Sequence, residues 1–310
     1  MRSPLILRKH KMDSHVLTLD ARYQDKPGII AVYVLPHAQG IALIDCGPGS
    51  TLPALVLALD RLGYLPQQVT DVLLTHIHLD HAGAAGWWAE QGARIHVHPV
   101  GAPHLLNPEK LLASAQRIYG DDMDRLWGAF LPVPRAQLLE QQDEDVISVG
   151  GQEFLALNTP GHAEHHLAYV WNEVCFSGDV GGVRVGGLKH VRPPTPPPEL
   201  HFEKWRASLA RLRAANFKYL APTHFGIYDD KDAHLDLLAR NLDAMQTWLE
   251  TEMQTAPSQE TFRTDFAALL ETLARNDGYT RAQVAAFNDA AGSDMSADGV
   301  YRYWKKHHAA

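Results

Sequence analysis

Thr75-His76-Ile77-His78-Leu79-Asp80-His81 directly follows the apolar run Val69 to Leu74, which reads as a buried strand. Three imidazoles and a carboxylate fall within six residues, so one strand end delivers several side chains to a single point. Imidazole nitrogen and carboxylate oxygen suit zinc, iron or manganese, and alternating ligands on an irregular loop can wrap round an ion. With 18 histidines in the chain a chance pair is easy, and a solvated histidine-rich turn is the competing reading. The pattern His-x-His-x-Asp-His at a strand end is better read as a metal site.

Outward from this stretch, Val16 to Leu19, Ile29 to Leu35 and Ile41 to Ile44 read as strands separated by turn-rich pieces. Leu52 to Leu62 has helical periodicity and stops at Gly63. Ala82 to Glu90 reads as the helix behind the histidines, with Trp87 and Trp88 as packing residues, and Arg94 to His98 as another strand. Pro99 to Phe130 reads as short helices that either shape a pocket or serve as scaffold. Strand patterns resume between Gln137 and Asn158, turn at Gly150-Gly151, and return from Leu167 to Phe176.

Gly181 to Leu200 is loop by composition. Its Pro193-Pro194-Thr195-Pro196-Pro197-Pro198 run reads as a stiff connector across the surface, with a docking motif as the alternative. Phe202 to Ala215 is amphipathic helix, and Tyr219 to Ala221 is a short strand. Beyond Asp230 the chain is almost wholly helical, giving a mixed α/β body over 1–229 and a helical region over 230–310.

Composition narrows the function classes. The chain has 310 residues, enough for a large core, and 21% of them are charged, as in an ordinary globular protein. A net charge of −8 disfavours coating nucleic acid or an anionic membrane. No apolar run approaches the ~20 residues needed to span a bilayer. Met1 to His10 lacks an apolar core long enough for a signal peptide, and Cys46 and Cys175 read as buried free thiols, so the cytoplasm is the expected compartment.

Three later spots repeat one pattern, in which an apolar strand ends and a single ligand type appears. They are Asn158-Thr159-Pro160-Gly161-His162, Ser177-Gly178-Asp179 and Pro222-Thr223-His224. With the first cluster they supply five histidines and two aspartates. Together with Leu43-Ile44-Asp45-Cys46-Gly47, these pieces resemble the metallo-β-lactamase-fold superfamily of metallohydrolases, in the family's order over residues 41 to 226. The helical C-terminal region lies outside the resemblance.

The resemblance implies a four-layer αββα sandwich with an all-helical C-terminal extension and two divalent metal ions at one edge. It implies that His76, His78 and His162 hold one ion, that Asp80, His81 and His224 hold the other, and that Asp179 bridges them. Zinc is the expected metal, although these ligands accept iron or manganese. Two ions some ~3.5–4 Å apart can share a hydroxide near neutral pH. Asp80 is expected to double as the catalytic group that orients it. Asp45 is either a partner that orients a ligand histidine or a turn residue. His166 matches a supporting histidine of the family pattern, whereas His165 stands where the pattern has glycine. His96, His98, His104, His190 and His201 read as surface or core residues.

Fold does not decide substrate. Seven intact ligands argue against the one-iron sulfur dioxygenases, and His78 stands where flavodiiron proteins carry glutamate. The run Asp179-Val180-Gly181-Gly182 lacks the tyrosine that assists in acyl-homoserine lactonases, and Tyr228 could enter the pocket from another direction. A small ester, thioester or lactone remains, in a protein similar to hydroxyacylglutathione hydrolases. Arg184, Lys189, His190 and Arg192 either hold a substrate carboxylate or form a solvated loop. The alternatives are a phosphodiesterase or nuclease of the same fold, or a metal-containing DNA-binding regulator that uses the helices of Phe262 to His308. A structural cap or a homodimer contact is the other reading of those helices.

Overall fold

A computed structural model describes residues 16–185 and 189–308. The segment Met1 to His10, read above for a signal peptide, lies outside the described residues. The first sheet follows chain order: β1 (Leu17–Asp20), β2 (Ala31–His37), β3 (Gly40–Ile44), β4 (Val69–Leu73), β5 (Arg94–Val97) and β6 (Leu138–Glu140). Its first two junctions are antiparallel and the next three parallel. The second sheet has the order β11-β10-β9-β8-β7, from β7 (Val146–Val149), β8 (Gln152–Asn158), β9 (Leu167–Trp171), β10 (Val174–Phe176) and β11 (Tyr219–Ala221). Only its β10–β11 junction is parallel.

Period-two alternation explains how the sheets stack. Ala31, Tyr33 and Leu35 of β2 meet Leu167, Tyr169 and Trp171 of β9 in the core between the sheets. Val32 and Val34 face the opposite way, into the core shared with the first helical layer. On β9, Ala168 and Val170 point outward into the second helical layer. Strands apolar on both faces fit the central layers of a four-layer sandwich.

The first outer layer comprises α1 (Leu52–Arg61), α2 (Leu79–Ala82), α3 (Ala85–Glu90), α4 (Ala102–Leu106), α5 (Glu109–Tyr119) and α6 (Met123–Trp127). Pro53 opens α1, and Gly63 follows its end at φ 84°, so both boundaries were legible. The other layer begins with α7 (Phe202–Ala214) and α8 (Lys231–Glu252). It continues with α9 (Gln259–Asn276), α10 (Arg281–Ala290) and α11 (Ser293–His307). Side chains cap two of these: the Ser258 hydroxyl accepts from the Thr261 amide, and Thr280 and Gln283 form a reciprocal capping box. Leu238 and Leu242 of α8, Phe262 and Phe266 of α9 and Val300 of α11 share one core with Val170 and Leu220 of the second sheet. Residues on both sides of 229/230 therefore pack together.

Two expectations need correction. The first half of the polyproline run does not cross the surface, because Pro193, Pro194 and Thr195 are buried, whereas Pro198 is exposed. Thr195 Oγ1 donates to the Ser296 carbonyl of α11 at 3.1 Å, and a Cβ on Gly299 would strike the Thr195 backbone. The basic residues after Asp179 are neither a solvated loop nor a substrate clamp. Arg184 is held by both oxygens of Asp230 at 2.6 and 3.0 Å, and His190 by Asp277 at 2.7 Å. Arg192 is buried against the Phe287 ring, 4.9 Å from its centroid. Only Lys189 is exposed, and none of the four lines the main cavity. Cys46 and Cys175 are buried and free. No described helix is long and apolar enough to cross a membrane.

Candidate metal centre

All seven candidate ligands sit just past the ends of strands, in the connections at one edge of the sandwich. His76 and His78 follow β4, and Asp80 and His81 occupy the single turn of α2. His162 lies between β8 and β9, Asp179 follows β10, and His224 follows β11. Two backbone bonds join the sheets here: the Leu167 amide donates to the Thr75 carbonyl at 2.7 Å, and the Ala31 amide to the Thr223 carbonyl at 2.8 Å. Gly178 shows why the Asp179 turn needs glycine. Its φ is 49°, and an added Cβ would lie 2.6 Å from Thr75 Oγ1 and 2.7 Å from His166 Nε2.

The ligand atoms form two groups. His78 Nδ1 is 2.9 Å from both His76 Nε2 and His162 Nε2. Around the second point, His224 Nε2 is 3.3 Å from Asp80 Oδ2, and His81 Nε2 is 3.6 Å from the same oxygen. Asp179 faces both groups. Its Oδ2 is 3.3 Å from His162 Nε2, while its Oδ1 is 3.3 Å from His81 Nε2 and 3.4 Å from His224 Nε2. Ligands at bond lengths of about 2.0–2.1 Å on a tetrahedral ion stand about 3.3 Å apart, so these spacings fit two ions.

The outer nitrogens fix the tautomers. His162 Nδ1 donates to the Pro194 carbonyl at 2.9 Å, and His224 Nδ1 to the Ile29 carbonyl at 2.7 Å. His81 Nδ1 donates to Asp45 Oδ2 at 2.8 Å. Thr75 gives its hydroxyl proton to Asp45, leaving its oxygen to accept from His76 Nδ1 at 3.2 Å. Each of these rings therefore turns an Nε2 lone pair inward. His81 Nε2 and Asp179 Oδ1 are buried and have no hydrogen-bond partner, as expected of atoms shaped for a cation.

The electrostatics agree with that donor set. Burial, reinforced by neighbouring imidazoles, pushes His76 well below the usual histidine range; burial and His162 take His78 down to about 4. Burial lowers His81 and His224 too, but Asp80 and Asp179 outweigh it and hold both above their ordinary value. The same imidazoles overcome the burial of Asp80, bringing it to about 2, and of Asp179, which falls well below the carboxylate range. Two carboxylates stay ionised, and the raised values of His81 and His224 beside them mark a field that favours cations.

Asp45 both shapes a turn and holds a candidate ligand, His81. Its φ is 53°, and besides His81 it accepts from the Thr75 amide at 2.8 Å and Thr223 Oγ1 at 2.8 Å. His166 supports rather than ligates, accepting from the Val180 amide at 3.3 Å and bonding Thr159 Oγ1 at 2.8 Å. His165 lines the cavity over the site, with its ring 5.6 Å from that of His78 and its Nε2 3.4 Å from Glu199. Tyr228 does not enter that cavity; its hydroxyl donates to main-chain carbonyls of Arg184 and Phe225. His96 is tied to Asp71 at 2.7 Å.

Sequence reasoning missed Tyr23, Tyr119 and the Asn288–Ser296 region as cavity walls. Tyr23 sits in an irregular turn flanked by positive φ at Arg22 and Gln24, which no residue pattern announces. The Pro194 carbonyl was also missed, though the proline run marked the segment as special.

A family model described as "Metallo-beta-lactamase superfamily" matches residues 25–224. The metallo-beta-lactamase fold-containing protein ST1585 of Sulfurisphaera tokodaii is 27% identical over 209 residues, covering 66% of this chain and 76% of its own. The hydroxyacylglutathione hydrolase of Rhodopseudomonas palustris is 33% identical over 146 residues, covering 46% of this chain and 44% of its own. This match spans less than half of that relative's length. Among solved structures, a metallo-beta-lactamase family protein from Thermus thermophilus, TTHA1429, aligns with a TM-score of 0.65 at 22% identity, over 90% of this chain and 89% of its own. The ST1585 structure aligns at 0.61 with 25% identity, over 75% of this chain and 86% of its own.

Proposed function

The chain belongs to the metallo-β-lactamase superfamily and is a hydrolase, and on that premise we propose that it cleaves a small ester, thioester or lactone with two divalent metal ions, zinc in the first place. The observation that carries this reading is Asp179, whose two oxygens face two separate imidazole sets at 3.3 Å. His76, His78 and His162 would hold one ion; Asp80, His81 and His224 the other; Asp179 would join both.

When bound, such ions supply a Lewis acid for the substrate oxygen and acidify water near neutral pH. The chain's own residues do the rest. Asp80, partly exposed to the cavity and held ionised, is placed to orient the attacking water. Asp45, Thr75 and the Pro194 and Ile29 carbonyls lock the rings so that their lone pairs need no reorganisation. Water adds to the carbonyl carbon, the bond to the leaving oxygen or sulfur breaks, and the leaving group takes a proton. The buried free thiols favour a reducing compartment, and the cytoplasm is part of the same proposal. We read residues 230–310 as a cap on the cavity.

The test is a panel of ester, thioester, lactone, β-lactam and phosphodiester substrates with zinc-loaded protein. The reading expects acyl substrates to be cleaved, with activity lost on chelation and in His76→Ala. Cleavage of phosphodiesters alone would overturn it in favour of the phosphodiesterase alternative.

A further inference from the structure

Four of the candidate ligands, His78, Asp80, Asp179 and His224, line a cavity of about 590 Å³, well within the range of sites that enclose a drug-sized molecule. Its walls are distinctive in two respects. The first is a rigid aromatic side. Tyr23 stacks on Trp127 at 5.5 Å, and Tyr119 meets the same indole edge-on at 5.0 Å. The Tyr119 hydroxyl lies 3.1 Å from Met295 Sδ, which ties this wall to α11. Burial and the nearby Asp80 charge raise both phenols, so they remain neutral.

The second feature is the face of α5. Leu111, Ala115 and Ile118 line the cavity at helical spacing, and Lys110 and Arg117 stand beside them, also on the lining. Ile118 is 47% exposed, a large apolar side chain left open on the cavity side. Lys110 and Arg117 make no ion pair with a described residue, whereas Asp289, an acid on the same lining, is paired. Asp289 is held by Lys26 at 2.6 Å, and Glu199 accepts from the Glu164 amide at 2.9 Å. Two cations without an ion-pair partner among the described residues therefore stand on this lining beside apolar side chains, and they offer an anion contacts that Glu199, Asp80 and Asp179 do not.

We propose that the substrate is amphipathic: an ester or thioester with an extended apolar acyl group that lies along the Tyr119–Trp127 wall, and an anionic group that meets Lys110 and Arg117. This deepens the acyl-hydrolase reading and rests on it. Hydrolysis consumes one water and releases the acid and the thiol or alcohol. Each methylene buried against the wall is worth about four-fold in affinity, so chain length is the sensitive variable.

The test compares acetyl and octanoyl thioesters of a neutral thiol and of 3-mercaptopropionate, using zinc-loaded wild type and K110E/R117E. A suberyl thioester of the neutral thiol places the charge on the acyl end instead, which distinguishes the two sources of the anion. The proposal expects kcat/KM to rise at least 100-fold from acetyl to octanoyl. It expects the anionic forms to be favoured about 10-fold, a preference that vanishes or reverses in K110E/R117E. Equal rates for acetyl and octanoyl, or an anion preference that the double variant retains, would overturn it. If no acyl substrate is cleaved, the hydrolase reading fails separately, and calorimetric binding of octanoate against acetate decides the cavity's preference. Tighter octanoate binding that weakens in K110E/R117E supports the proposal, and equal binding overturns it.

Discussion

Asp45 Oδ2 lies 2.8 Å from His81 Nδ1, with both side chains buried. The same carboxylate collects Thr75 and Thr223, so one group at the end of β3 ties together the loops after β4 and β11. The ring of His81 is thereby aimed at the point shared by Asp80, Asp179 and His224. Removing such a partner typically costs 10–100-fold in metal affinity. Asp45→Ala is expected to show that loss in a zinc competition titration, with the weakening confined to one of two ions.

Gly178 carries the turn that presents Asp179. Gly178→Ala is expected to displace Thr75 or His166, because the new methyl has no free direction at φ 49°. The measurable outcome is a lower Tm together with reduced zinc binding. An unchanged Tm and unchanged zinc affinity would contradict the assignment.

Much of this was legible in the sequence. Ligand types recurred at the ends of apolar runs, and the runs themselves marked β2, β3 and β9 as strands. What stayed hidden depends on main-chain geometry and long-range packing. The Pro194 and Ile29 carbonyls carry no residue signature, yet they set the tautomers of His162 and His224. Arg184 read as either a substrate clamp or part of a solvated loop because its partner Asp230 lies 46 residues away. The prolines looked like a surface connector because nothing local reports that α11 covers them.

That cover yields another expectation. Gly299 of α11 packs directly on the Thr195 backbone, one residue from the carbonyl that holds His162. Gly299→Val should destabilise the fold by about 1–3 kcal/mol through overpacking. It should also lower zinc affinity, whereas a surface change on the same helix, Lys305→Ala, should alter neither. Denaturant titration with parallel zinc titration reads both.

His234 gives a pH dependence. It is buried, its Nε2 donates to the Gly181 carbonyl at 2.8 Å, and its Nδ1 accepts from Arg184 at 3.2 Å. Burial brings it down to about 4. The unfolded chain then takes up the proton first as pH falls. Stability from this group is intact above about 6.5, declines between about 6.5 and about 4, and levels off below, a loss of up to about 3 kcal/mol. The difference in unfolding free energy between wild type and His234→Gln should shrink across that window.

The most direct measurement is elemental analysis of zinc-saturated protein after removal of loosely held metal. Two ions per chain are expected for the wild type. His224→Ala should retain the ion of His76, His78 and His162 and lose the other, giving one. A stoichiometry near one in fully loaded wild-type protein would contradict a two-metal centre.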